Sequence, residues 1–326
     1  MRKKLIFLFS LPRSGSTLLQ KLLMTHSKID SVSEPWILLP YVYTLKSDGI
    51  FAEYSHATCY MAIQDFIDNL PNKERDYLDA MRSFFLSLYE KVCDPNAEYF
   101  LDKTPRYYLI IPLIAKLFPD AKFIFLFRNP LEVLASIIET WGKGRLRIHG
   151  YYIDLYKGPR LLAEGYENLK RKSIKVIYTN LVRSPEDTLH KVFEYLGLEF
   201  ESNIINNFNK SSLKGRMGDP EIRIHKYKRI ETTTLKEWEK TLGTKFRRFF
   251  ARNYLNYLGK DILNAFGFDV NELLNQLQNI NVSNKYIFSD MIYFYGGTIY
   301  RILELPMQKR RFKNKVHQGE RLYLHI

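Results

Sequence analysis

Apolar and polar positions come in alternating blocks along this chain, and the first block is the clearest. Residues 5–9 form an uninterrupted apolar run rich in β-formers, which predicts a strand buried on both faces. Pro12 and Gly15 then break the regularity, and a helix is predicted over 17–26 with Ser16 and Thr17 as its caps. The same order of strand, polar turn and helix returns further on. Residues 30–33 read as a short extended segment. Tyr99–Asp102 reads as the second parallel strand, with a helix over 108–117, and Lys122–Phe127 as another continuous apolar strand running into Arg128, Asn129 and a helix that starts at Pro130. Residues 174–178 give a further strand, and 184–196 a helix capped by Ser184 with Pro185 in its first turn.

Between these units the pattern changes. Residues 37–96 are aromatic and helical in period, most clearly over 61–70 and 74–92, and read as a helical cap insertion. Residues 142–158 are basic, aromatic and punctuated by glycine, which predicts a mobile loop before a helix over 159–172. Residues 211–220 read as a Gly-rich polar loop, and from Leu235 onward every block has helical period. The recurrence predicts an α/β fold of three layers, P-loop-like, with a central parallel sheet, helical cap insertions and a helical C-terminal region. Residues 1–280 are expected as one domain and 281–326 as a helical, basic extension.

Four polar clusters stand where predicted strands end: residues 13–17, 102–105, 128–130 and 178–180. In a parallel sheet those ends meet on one edge, where ligands bind. Unpaired N–H groups and the macrodipole at a helix start make an anion cradle, and Arg13, Lys103 and Arg128 add positive charge. The first loop half matches the ATP-binding pattern G-x-x-x-x-G-K-[ST]. Gly15 and Thr17 fit it, whereas Ser10 replaces the first glycine and Ser16 the lysine that reaches the β- and γ-phosphates. A ligand with a single 5′-phosphate carrying another anionic group asks for less.

Composition narrows this reading. The 326 residues are 46% hydrophobic and 26% charged, as in a globular protein, and carry a formal net charge of +14, which favours anionic ligands. With no zinc spacing, no C-x-x-C and no aromatic RNA-binding motif, nucleic acid is not expected as a partner. Cys59 and Cys93 make no disulfide framework, and a cytoplasmic setting is expected. Arg2-Lys3-Lys4 before an apolar run has the outline of a secretory leader. The run is at the minimum length, is closed by Pro12-Arg13, and no small-residue cleavage site follows, so a leader is not expected. His149, His190 and His225 match no ligand spacing, and no metal is expected.

Taken together, Pro12-Arg13-Ser14-Gly15-Ser16-Thr17-Leu18-Leu19 and Phe125-Leu126-Phe127-Arg128-Asn129-Pro130 with Ser136 are similar to two motifs of the sulfotransferases that use 3′-phosphoadenosine 5′-phosphosulfate (PAPS). These are that family's 5′-phosphosulfate loop and its 3′-phosphate motif. Val176-Ile177-Tyr178 with Leu181 and Pro185 resembles its late strand and turn. Lys214-Gly215-Arg216-Met217-Gly218-Asp219 keeps the K-G-x-x-G-D core of the loop that closes over the nucleotide in cytosolic members. The resemblance runs from about Lys3 to Phe268.

The resemblance implies PAPS as co-substrate, held by Arg13, Ser14, Gly15, Ser16, Thr17, Arg128, Ser136, Tyr178, Lys214 and Gly215. It also implies in-line attack of an acceptor hydroxyl, with Arg13 and Lys103 stabilising the leaving charge. Many cytosolic members place a histidine base after a K-[ST] pair, but Pro105 stands there. Glu34 lies where the tyrosylprotein branch places its catalytic glutamate, and it is the expected general base, a role that asks for partial burial against Trp36 to bring its proton affinity up to the working pH range. A purely structural ion pair with Arg13 or Lys103 is the alternative for Glu34. The acceptor is expected to be a hydroxyl-bearing glycan, lipid, small molecule or peptide. A P-loop kinase and a non-catalytic module binding anionic glycans remain alternatives for the whole chain. Lys143, Arg145, Arg147 and His149 read either as contacts to an acidic acceptor or as a solvated face. Residues 308–315 read either as a peripheral contact to an anionic membrane or as a solvated basic tail.

Overall fold

The structure, a computed structural model, describes residues 3–47, 50, 52, 54–217, 230–232, 235–305 and 308. Five strands form one sheet: β1 (Lys4–Ser10), β2 (Ile29–Ser31), β3 (Tyr99–Asp102), β4 (Lys122–Phe127) and β5 (Ser173–Ile177). They are ordered β2-β3-β1-β4-β5 and every pairing is parallel. Parallel neighbours demand crossover helices on the sheet faces, so both faces are covered and the strands can be apolar throughout.

The alternation of side chains along a strand sorts that core into two layers. Phe7, Phe9, Phe100, Phe123, Phe125 and Phe127 point to one face and pack beneath α4 (Glu74–Val92), α5 (Ile111–Leu117) and α7 (Gly158–Leu169). Ile6, Leu8, Leu101, Ile124, Leu126 and Val176 point to the other, against α1 (Ser16–Met24) and α9 (Pro185–Leu196). Each fully buried leucine or phenylalanine in these layers contributes about 1.5–3 kcal/mol.

The stretch 37–96 contains α2 (Leu38–Val42), α3 (His56–Asp68) and α4, and α4 is tied into the core by Tyr89, whose hydroxyl donates to Asp102 at 2.6 Å. Residues 142–158, expected as a loop, carry short helical turns instead. Leu146, Ile148 and Leu155 bury themselves there, and Asp154 is held by Arg106 and Tyr108. After α6 (Pro130–Ser136) a single π-helical turn follows over Ile137–Trp141; then, beyond α7, come α8 (Tyr178–Arg183) and, after α9, α10 (Ile204–Asn207).

The helical region beyond Leu235 comprises α11 (Glu237–Leu242), α12 (Lys245–Phe266), α13 (Val270–Asn279) and α14 (Ile287–Ile302). They gather with α6 around Leu134, Trp238, Phe250 and Leu255. The predicted helix over 108–117 is divided. A 3₁₀ turn over Pro105–Leu109 precedes α5, because Pro105 and Pro112 each remove a backbone donor. Among the described residues no helix is long and apolar enough to cross a membrane. His225, Gly218, Asp219 and the basic stretch 309–315 lie outside the described residues.

Candidate active site

The strand registers decide which residues meet. Phe7 pairs with Asp102, Ser10 with Leu126, and Phe127 with Ile177, so the residues that follow β1, β3, β4 and β5 arrive on one edge. A cleft of about 300 Å³ opens there, lined among others by Arg13, Gly15, Thr17, Glu34, Trp36 and Trp141.

Its floor is the loop between β1 and α1. Gly15 caps α1 with a left-handed backbone (φ 86°), and neither Ser16 nor Thr17 is the cap; they are the first helical residues. The reason is packing as well as torsion. A Cβ on Gly15 would stand 2.3 Å from the Tyr178 ring, so only glycine closes this turn. Ser14 is buried in the turn, and the N–H groups of the first turn of α1 have no intrahelical partners. Ser184 likewise occupies the cap position of α9 but makes no side-chain cap; its carbonyl accepts from Thr188.

Tyr178 is the shared platform of two motifs. Its ring underlies Gly15 and also carries the Arg128 guanidinium, 4.2 Å from its centre. Arg128 donates to Glu132 at 2.7 Å and to the Arg13 carbonyl at 3.0 Å. Burial raises the Glu132 carboxyl above its ordinary range, against the pull of Arg128. Arg128, expected to hold the co-substrate, is therefore partly held by Glu132, a partner one helical turn along that the motif did not reveal. Arg13, itself left-handed (φ 66°), donates to Ser136 at 3.0 Å and to Thr140 at 3.1 Å, and its guanidinium lies 5.9 Å from the Trp141 ring. The π-helical turn after Ser136 presents both Thr140 and Trp141 to it.

The other half of the site is built around Lys103. Its ammonium is wholly buried, donating to Glu34 at 2.8 Å and to Thr17 at 3.3 Å. Glu34 accepts a second bond from the Trp36 indole at 3.1 Å. The segment bearing Glu34 is fastened along its length. Gln20 donates to Ser31 and to the Val32 carbonyl, Ser33 N–H to the Lys214 carbonyl, Trp36 N–H to Thr104, and Leu38 N–H to the Tyr107 hydroxyl.

Tyr107 and Thr104 in turn bond Asp102, as does Tyr89. Asp102 is fully buried, and desolvation pushes its carboxyl up from 3.8 to about 6 in spite of those donors. Sequence reasoning placed Asp102 only as part of a cluster. Its signal was the hydroxyl-rich neighbourhood, Thr104 and Tyr107 close behind it.

The remaining expectations divide. Gly215 packs its backbone (φ 119°) against Ser33, where a Cβ would come within 2.8 Å, so the 214–217 loop touches the Glu34 segment. Lys214 itself is exposed, and Met217 is the residue of that loop that lines the cleft. Arg145 and Arg147 lie over Tyr286 and Tyr293 rather than at the cleft, while Arg106, Trp141 and Tyr151, from stretches without a readable motif, do line it.

A parallel sheet whose first loop opens onto a helix start defines a P-loop-like α/β protein, with a cleft at its strand ends that Arg13 and Arg106 line. Residues 6–202 match the profile described as "Sulfotransferase family". The chain belongs to that family. It is 24% identical over 291 residues to nodulation protein NoeE of Sinorhizobium fredii, covering 81% of this chain and 65% of that protein. It therefore spans just under two thirds of that relative's length. With a putative protein-tyrosine sulfotransferase of Caenorhabditis briggsae it shares 24% identity over 245 residues, 72% of this chain and 81% of the other. The sulfotransferase domain of the Synechococcus PCC 7002 olefin synthase shares the fold, with a TM-score of 0.51 at 21% identity over 77% of this chain and 96% of that domain.

Proposed function

We propose that this protein transfers the sulfonate group of PAPS to an acceptor hydroxyl, with Glu34 as general base. The observation that carries the reading is the buried Lys103 ammonium, held between Thr17 of the anion loop and Glu34. It sets a buried cation directly behind two residues that line the cleft, Thr17 and Glu34. The donor set fits the co-substrate: first-turn N–H groups and Thr17 suit the 5′-phosphosulfate, and Arg128 with Ser136 suits the 3′-phosphate. Arg13 joins the two through its bond to Ser136.

In the proposed step the acceptor oxygen forms a bond to sulfur while the bond from sulfur to the bridging phosphate oxygen breaks. The acceptor proton passes to Glu34, whose two oxygens have lone pairs beyond those used by Lys103 and Trp36. The electron pair of the broken bond leaves with adenosine 3′,5′-bisphosphate, and Lys103 and Arg13 meet the charge that develops on the bridging oxygen. The 214–217 loop, seated on Ser33, covers the cleft from the Glu34 side.

Two measurements test this. Thermal shift should show stabilisation by adenosine 3′,5′-bisphosphate and not by ATP–magnesium. A panel of glycan, lipid, phenol and peptide acceptors with labelled PAPS should then yield a sulfated product. Glu34→Gln that turns over like the wild type with intact bisphosphate binding removes Glu34 from the base role.

A further inference from the structure

α14 is fixed to the body of the protein by its inner face. Arg247 of α12 and Asp290 form a buried ion pair at 2.7 Å, Asp290 also accepts from Leu146 N–H, and Phe294 packs on Phe246 and Phe250. Because that face is locked inward, the opposite one is committed to the outside. It consists of Phe288, Ile292, Tyr295, Ile299 and Ile302, exposed by 83%, 70%, 53%, 56% and 66%. Steps of four and three residues put these on one stripe about 21 Å long. Phe249 of α12, one turn from the Phe246 that touches Tyr295, is also exposed. A stripe of this size on a charged protein marks an interaction surface.

The charges around the stripe say what it meets. At its start stand Lys285 and Arg145, the latter over Tyr286, and Arg147 lies over Tyr293 midway along the helix. At its end stands Arg301, over Tyr152, and the chain continues as Lys309-Arg310-Arg311-Phe312-Lys313-Asn314-Lys315, five cations in seven residues. Between Lys285 and Gln308 the acidic residues are Asp290, which is buried and paired, and Glu304. Both ends being basic, two copies paired through the stripe in either direction would set like charges together. An anionic bilayer surface complements them. Large apolar side chains enter its acyl boundary, tyrosines sit at headgroup level, and a polybasic segment that follows in sequence adds electrostatic attraction.

We propose that α14 is an interfacial helix that seats this protein on an anionic membrane surface through Phe288, Ile292, Tyr295, Ile299 and Ile302, with residues 309–315 strengthening the attachment. The inference stands apart from the sulfonate-transfer reading. It is tested on the full chain by co-sedimentation with vesicles of phosphatidylcholine alone and of equimolar phosphatidylcholine and phosphatidylglycerol. The wild type should pellet with the anionic vesicles and be released by high salt. Ile292→Asp, with unchanged circular dichroism and melting, should lower partition by about tenfold or more.

Ending the chain after Gln308 should weaken binding to the anionic vesicles and leave part of the preference, because Lys285, Arg145 and Arg301 remain. A wild-type chain that stays in the supernatant overturns the proposal, as does equal binding by Ile292→Asp. A dimer in solution that Ile292→Asp converts to monomer would assign the stripe to a second copy. Tighter binding after truncation would assign it to the chain's own terminal segment. Either of these last two results also overturns it.

Discussion

Replacing Lys103 with methionine keeps most of the buried stem and removes the charge, which isolates what the ammonium does. At 2.8 Å and an effective dielectric near 20, its attraction to Glu34 is about 6 kcal/mol before desolvation is set against it. Breaking a buried pair from one side costs about 3–5 kcal/mol, because the other charge is left uncompensated. Glu34 keeps the Trp36 indole and is 11% exposed on its side chain, so the lower end, about 3 kcal/mol, is expected. A melting temperature lower by about 4 °C follows for a chain of this length.

The rate should fall further than stability explains. Loss of one preorganised donor at the leaving oxygen lowers kcat by about 10²–10³-fold. Adding Glu34→Gln should recover stability to within about 1 kcal/mol of the wild type, since no orphan carboxylate remains, while activity stays lost. The assay is release of adenosine 3′,5′-bisphosphate at saturating PAPS with the best acceptor of the panel, alongside calorimetric melting and bisphosphate titration. A folded Lys103→Met chain that binds the bisphosphate and turns over within about threefold of the wild type would refute the catalytic part. A double variant no more stable than Lys103→Met would refute the pairing.

Gly15→Ala should abolish bisphosphate binding and lower the melting temperature, because the new Cβ meets the Tyr178 ring at 2.3 Å and a left-handed backbone costs about 1 kcal/mol more. Titration calorimetry reads the loss, and wild-type affinity would contradict it. Asp102 gives a pH prediction. Its folded value of about 6 lies above the ordinary 3.8, so the folded state holds the extra proton between them, and stability falls as pH rises through that window. The fall amounts to about 3 kcal/mol and is complete above pH 6. Asp102→Asn should lack this slope in denaturant titrations between pH 4 and 7, and an unchanged slope would locate the titration elsewhere.

The strands and their order along the chain were legible because buried parallel strands are continuous apolar runs with polar turns behind them; residues 4–10 and 122–127 needed nothing more. The turn between β1 and α1 was legible for the same reason, since Pro12 and Gly15 act on their own backbone. Helix ends were less so. Ser16 reads as a cap in isolation and loses the position to Gly15 because the turn takes a left-handed backbone there and because Tyr178, distant in sequence, lies beneath it. Residues 142–158 read as a loop because their burial against α12 and α14 is a tertiary event that local pattern does not encode.

The sequence by itself therefore determined that a parallel α/β sheet carries basic clusters at its strand ends, and that the first of them lacks the lysine of an ATP loop. Which charges face each other was decided only by the fold. Lys103 meets Glu34, Arg13 meets Ser136, and Arg128 is shared between Glu132 and the Arg13 carbonyl. These are contacts between residues 69 to 123 positions apart, apart from the helical pair, and strand register, not local propensity, sets such distances. The apolar stripe of α14 follows the same division: its period is written in the chain, but which face points outward was settled by the burial of Asp290 against Arg247.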